Sequence, residues 1–226
     1  AFAAGSGHDL PAFDGENLSR RGDVVVVTLN HRLNLLGYLD LSAHGDKYAA
    51  SGNVGMLDIV AALKWVRNNI EGFGGDPGRV MIFGQSGGGA KVTTLMGMPA
   101  AKGLFHSAAV MSGSFGMVNT TENSRRLTDL FLKELGLDAA SVEQLHTLPY
   151  DMLQKAGVAV MQRENASFDG YVDIRQIRNN LSFAPVVDGK VLPVWPFKES
   201  APEISAEVPM IMGTTQNEFV TGINNP

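Results

Sequence analysis

The residues with the clearest chemical potential lie between Arg79 and Met96, RVMIFGQSGGGAKVTTLM, where a four-residue apolar run meets Gly84-Gln85-Ser86-Gly87-Gly88-Gly89. This loop can be read as a phosphate cradle, as a tight turn presenting one serine, or as a plain strand-to-helix connection. Gly84 and Gly89 flank four residues as a phosphate loop requires, with Lys91 nearby. That loop also needs Lys directly after the second Gly and Ser or Thr directly after the Lys. Here Ala90, Lys91 and Val92 follow, which turns the Lys about 100° around the helix and puts Val where a metal-binding hydroxyl belongs. The serine reading fits every position, since Gly84-x-Ser86-x-Gly88 follows a strand-like run and opens a helical one. Ser86 would sit on a strained turn at the positive end of a helix, with the Gly87 amide able to donate to an oxyanion. Gly88 and Gly89 would let helix and strand pack closely. A Gly-rich connection with an exposed Ser is the bland alternative, and the pentapeptide alone does not exclude it.

Positioning such a serine requires strands and helices in alternation. Asp23 to Leu29, DVVVVTL, is a β-branched run of the kind buried on both faces of a parallel sheet. From Leu57 to Glu71, Ile59, Leu63, Val66 and Ile70 recur at helical spacing, with Asp58 in the first turn and Gly72 past the end. Val80 to Phe83 reads as a strand, Ala90 to Met98 as a helix and Ala108 to Met111 as a further strand. Helical patterns follow over Ser124 to Leu135, where Leu127, Leu130, Phe131 and Leu135 share a face. Another begins at Ser141, which pairs with Gln144 as a capping box, and a last strand covers Met210 to Met212. This order predicts an α/β fold, a mostly parallel doubly wound sheet with helices on both faces and a helical insertion. Such sheets bind ligands beyond the carboxyl ends of their strands. Ser86, Ser112 and Glu218 all follow strands there, so the topology gathers them at one rim.

Composition sets the outer limits. At 226 residues and 44% hydrophobic, the chain can bury a sizeable core. A net charge of −5 with scattered Lys and Arg offers no basic face, which argues against nucleic acid as a partner. No apolar run approaches the roughly 20 residues of a membrane-spanning helix. Without cysteine there is no disulfide framework or thiolate metal site; this leans toward a reducing compartment but suits a secreted bacterial protein equally, so localisation stays open. No His or carboxylate spacing suggests a metal site.

The text around the serine carries a family resemblance. NHRLNLLGYL (Asn30 to Leu39), GNVGMLDIVAALKWVRNNIEGFGGDPGRVMIFGQSGGG (Gly52 to Gly89) and LFHSAAVMSGS (Leu104 to Ser114) resemble the type B carboxylesterases, the family of cholinesterases and bacterial carboxylesterases. APVVDGKVLP (Ala184 to Pro193) and PMIMGTTQNEF (Pro209 to Phe219) continue the match in order. The resemblance implies an α/β-hydrolase fold and hydrolysis of small-molecule carboxylic esters by a Ser-Glu-His triad, without a cofactor. It places Ser86 as nucleophile, Glu218 as triad acid, Gly87 at the oxyanion hole and Ser112 as a serine hydrogen-bonding within the triad. Arg32 and Asp58 match a structural ion pair. Phe2, Phe115, Met117 and Phe219 fall near the rim and are expected to line the acyl or alcohol pocket. The division expected is 1–120 for the sheet core, 121–183 for a helical insertion and 184–226 for the return to the core.

Two departures matter. The opening AFAAGSG resembles the sequence just behind the family's oxyanion glycines, so those glycines are expected upstream of Ala1. The base is also missing, because hydrolases of this fold place their His after the acid and no His follows Glu218. His8 and His44 fall in polar loops, His106 precedes a strand at the opposite rim, and His146 lies in the helical insertion. Only His31 is at the correct end, where a structural histidine is the simpler reading. The expectation is therefore a piece of a longer polypeptide, inactive alone, whose remainder is its partner. A non-catalytic adhesion or scaffold relative is the alternative; retention of Ser86 argues against it.

Overall fold

The computed structural model describes residues 2–8, 10–113, 117–164 and 181–216. From the amino end run α1 (Glu16–Gly22), α2 (Asn34–Tyr38), α3 (Val54–Asn69), β1 (Met81–Gln85), α4 (Gly87–Met96) and β2 (Ser107–Met111). After these come β3 (Asn119–Thr120), α5 (Thr121–Glu134), α6 (Tyr150–Glu164), β4 (Val186–Val187) and β5 (Met210–Gly213).

The apolar stripe expected of α3 is its buried face: Ile59, Leu63, Val66 and Ile70 are all buried. Each such side chain contributes roughly 1.5–3 kcal/mol relative to exposure. The helix starts three residues before the predicted Leu57, so Asp58 lies in its second turn. It ends through a 3-10 turn, Ile70–Phe73, closed by Gly74 at φ 81°, and Gly72 lies inside that turn instead of beyond it. Asp58 accepts from Nε and Nη2 of Arg32 at 2.9 and 2.7 Å and from the Arg32 backbone N–H at 2.9 Å. These bonds hold the Asp58 carboxyl below the usual carboxylate range and tie the 31–34 loop to α3, as the expected ion pair requires. At the amino end of the same helix, the Asn53 amide accepts from Val186 N–H at 2.9 Å and donates to Val186 O at 2.8 Å. One buried side chain thus substitutes for a ladder partner and pins the returning segment.

The central sheet is parallel, in the order β1-β2-β5, with Gln85 opposite Met111 and Met111 opposite Gly213. Helix α4 connects β1 to β2 and packs on the face where Ile82, Ala108 and Val110 are buried. The opposite face presents Met81, Phe83, Met111 and Ile211 to solvent. Helices are expected on both faces of the complete fold; among the described residues α4 covers the face of Ile82, Ala108 and Val110.

Two other expectations need correction. The run Asp23 to Leu29 is not a buried strand: it joins no ladder among the described residues, and Val24, Val25 and Val27 are exposed. β-branched composition favours extended backbone, but burial needs a partner strand and a covering layer, and only partial cover is met, by Val26 against Gly15 before α1 and by Leu29 against the core. The segment expected to begin at Ser141 is a 3-10 turn, Ala139–His146, capped three residues earlier, at Asp138. There the Asp138 carboxylate accepts from Ser141 N–H at 2.9 Å, and Ser141 Oγ accepts from Asp138 N–H at 2.8 Å. A carboxylate accepts more strongly than a hydroxyl, so Asp138 takes the cap from Ser141. Leu127, Phe131 and Leu132 of α5 are buried, with Leu130 and Leu135 partly so.

The turn from β1 into α4 sets the geometry of the rim. A first side-chain carbon on Gly84 would stand 2.3 Å from the Gly88 carbonyl carbon, and one on Gly89 would stand 2.8 Å from the Gly113 Cα and 2.9 Å from a Val110 methyl. At Gly88 such a carbon would meet nothing within 4 Å. The packing role expected of Gly88 and Gly89 therefore falls to Gly84 and Gly89. Gly84→Ala is accordingly expected to destabilise the fold by about 3 kcal/mol or more, and Gly88→Ala by less than about 1 kcal/mol, measured by urea unfolding. Equal costs at the two positions would contradict this geometry.

Candidate active site

Ser86 occupies the junction of β1 and α4 with φ 53° and ψ −120°. An L-residue pays about 1–3 kcal/mol for such backbone, so surrounding contacts must impose it. They do so on two sides. The Ser86 N–H donates to Met111 O at 2.9 Å, extending the β1-β2 ladder, while its carbonyl accepts the first helical bond from Ala90 N–H at 3.0 Å. Serine at the residue before a helix ordinarily turns its hydroxyl onto the first-turn amides. Ser86 makes no such capping bond, which leaves its half-buried Oγ at the rim for other use. The amide of Gly87 belongs to the first turn of α4, whose N–H groups have no intrahelical acceptor and stand at the positive end of the helix.

One strand over, Ser112 repeats the pattern. It follows β2, its backbone is left-handed at φ 50°, and its N–H donates to Gly213 O at 2.7 Å. Ser86 and Ser112 therefore stand side by side at the carboxyl ends of adjacent parallel strands, as the sequence order implied. Gly213 closes β5 at the same rim, five positions before Glu218. Glu218, Phe115 and Phe219 lie outside the described residues.

Phe2 and Met117 meet at one cavity of about 400 Å³, whose wall also includes Val158, Met161 and Phe183. Asn34, Asn119 and Gln162 contribute polar groups to an otherwise apolar lining. Phe2 is buried, its ring set edge-on to Tyr38 with centroids 5.3 Å apart, and its carbonyl accepts from Asn34 N–H at 2.8 Å. Asn34 itself has φ 53°, a conformation asparagine tolerates better than most residues.

The histidines separate by position. His106 is at the amino ends of the strands, where its Nδ1 accepts from Val80 N–H at 3.1 Å. His146 shares a 3.0 Å hydrogen bond with the Tyr48 hydroxyl and stacks on its ring. His31 is half-buried and donates from Nδ1 to Arg32 O at 2.9 Å; burial, and then the positive charge of Lys91, pull its pKa below the ordinary value.

Sequence reading passed over Lys91, whose role was weighed only as a phosphate ligand. It is the one charged residue of α4, its ammonium lies 5.4 Å from the centre of the Phe2 ring, and burial lowers its pKa to about 8. A single charge in a helix otherwise made of small and apolar residues and two threonines was the available signal.

With this geometry in view, comparison with known proteins is informative. Residues 1–225 match the model of the carboxylesterase family. The chain is 40% identical to the para-nitrobenzyl esterase of Bacillus subtilis over 220 residues, which are 96% of this chain and 42% of that protein. It is 38% identical to rat carboxylesterase 1E, covering 92% of this chain and 36% of the relative. Among solved structures, a thermophilic para-nitrobenzyl esterase superposes with a TM-score of 0.86 at 38% identity, over 100% of this chain and 44% of its own. An esterase of Clostridium hathewayi superposes with a TM-score of 0.78 at 44% identity, over 95% of this chain and 41% of its own. The chain thus spans about two fifths of the length of the relatives it matches, and the parallel sheet and its helices are those of the α/β-hydrolase fold. It belongs to the carboxylesterase family.

Proposed function

We propose that this chain is the nucleophile-bearing part of a serine carboxylesterase. The observation that carries the reading is the left-handed Ser86, held between Gly84 and the first turn of α4 with its hydroxyl not used as a helix cap. Serine hydroxyls are weak nucleophiles at neutral pH, so a general base must accept the proton as Oγ attacks the ester carbonyl. The Oγ–carbonyl bond forms, the alcohol departs with a proton, and water later releases the acid from the acyl-enzyme. As the carbonyl oxygen gains charge, the Gly87 N–H donates to it, and each such donor contributes about 3 kcal/mol in the transition state. Glu218 is read as the acid that orients the base and stabilises its cation, and Ser112 as a supporting hydrogen-bond partner beside it. The base itself is read as a histidine outside these 226 residues, since none follows Glu218 and His31, His106 and His146 are engaged elsewhere.

The cavity between Phe2 and Met117 is read as the pocket for the apolar part of the ester, with Phe115 and Phe219 adding to it. Its lining favours alkyl or aryl groups over charged ones. One relative, the Clostridium hathewayi esterase, can hydrolyse aliphatic aromatic polyesters. The scaffold alternative has less support, because Ser86, the group that a non-catalytic relative would not need, is present.

In the polypeptide that carries this chain, Ser86→Ala should lower kcat on a nitrophenyl ester by about four to six orders of magnitude. Its unfolding midpoint should stay within a few degrees of the parent. Retention of most of the activity would refute the assignment. Glu218→Gln should keep the fold and cost roughly two to four orders of magnitude in kcat, because a neutral amide neither fixes the correct tautomer nor stabilises the imidazolium. An unchanged rate in that variant would remove Glu218 from the mechanism.

A further inference from the structure

The helix that Ser86 begins contains one charge, and that charge is turned inward. Lys91 is half-buried, its ammonium 5.4 Å from the centre of the Phe2 ring, and desolvation favours its neutral form. The face of an aromatic ring is one partner that offsets part of the cost of burying an ammonium. The Phe2 ring belongs to the buried core and also faces the cavity. Phe2 forms a wall of the 400 Å³ cavity, leans edge-on against Tyr38 and takes a backbone hydrogen bond from Asn34. The Lys91 side chain is therefore a strut between α4, whose start fixes Ser86, and the segment that forms the cavity wall.

We propose that Lys91 is a positioning residue: its ammonium holds the Phe2 ring against α4 and so sets the cavity wall at a fixed offset from Ser86. This rests on reading Ser86 as the nucleophile and the cavity as the ester's apolar pocket. An ester whose acyl chain is too short to reach the wall gains nothing from that offset, whereas one that fills the cavity depends on it. The interaction needs a cation above the ring and an aromatic face below it; chain length and apolar volume alone do not supply it.

The test compares nitrophenyl acetate with nitrophenyl hexanoate on the polypeptide that carries this chain. In Lys91→Met, the ratio of kcat/KM for hexanoate over acetate should fall about tenfold, with the loss in KM for the longer ester and not in kcat. Lys91→Arg, which restores a cation able to lie over a ring, should recover most of the ratio. Phe2→Leu keeps apolar volume without the aromatic face, and it should reproduce the shift. Adding Lys91→Met to Phe2→Leu should then change the ratio no further, and Phe2→Leu carries the test if Lys91→Met fails to fold. Equal losses on both esters, an Arg variant no better than Met, or additive effects in the double variant would each overturn the proposal. Ser86→Ala in the same assay separates the two levels. If that variant stays active, the underlying catalytic reading has failed; if it is dead while the Lys91 variants keep the parent ratio, only the proposal for Lys91 has.

Discussion

The geometry of the rim depends on how closely the backbone of β1 passes the first turn of α4. No side chain fits at Gly84, because its first carbon would lie 2.3 Å from the Gly88 carbonyl carbon. That approach leaves the chain one residue in which to reverse from strand to helix, and Ser86 absorbs the reversal in a left-handed conformation. The strain costs about 1–3 kcal/mol and persists only because both flanking elements are fixed independently. β1 is locked to β2 by its ladder, and α4 is seated on Val110 and Gly113 through Gly89. Ser112, the neighbour of Ser86 across the ladder, also has positive φ where β2 ends, with its amide committed to Gly213.

From this constraint the remaining features gain their positions. A parallel ladder sends β1, β2 and β5 out of the sheet at one end, so residues far apart in sequence leave it together. The 31–34 loop is held to α3 by Arg32 and Asp58, and Asn34 in that loop takes hold of the Phe2 carbonyl. Phe2 in turn lies between Tyr38 and Lys91. The cavity wall is thus connected to α4 through a short series of specific contacts as well as through the core cluster to which Phe2 belongs, which suits the proposed site, where pocket and reacting atom must keep their spacing.

Much of this was legible in the sequence wherever local chemistry decided the outcome. Gly84-x-Ser86-x-Gly88 announced the turn, Ile59, Leu63, Val66 and Ile70 announced α3, and the apolar runs before Ser86 and Ser112 announced β1 and β2 to within two residues. What failed depended on tertiary partners. The valines from Val24 to Val27 have strand composition, yet pairing is decided by neighbours, and those side chains stay exposed. The cap at Asp138 was missed because Ser141 also matches a capping pattern, and only the competition between carboxylate and hydroxyl separates the two. Gly88 looked as necessary as Gly84, since sequence carries no information on which glycine the facing backbone approaches. Lys91 was hidden because a lysine on a helix is ordinarily solvated, and only the location of Phe2 reveals its inward direction.

The central claim is that the strained Ser86 is the reacting nucleophile, and covalent trapping addresses it most directly. The polypeptide carrying this chain would be inactivated with an aryl organophosphonate, digested, and the modified peptide sequenced by mass spectrometry. The account predicts a single phosphonyl adduct on Ser86 whose amount rises in step with the loss of esterase activity. An adduct on Ser112 or any other residue, or full inactivation with Ser86 unmodified, would contradict it.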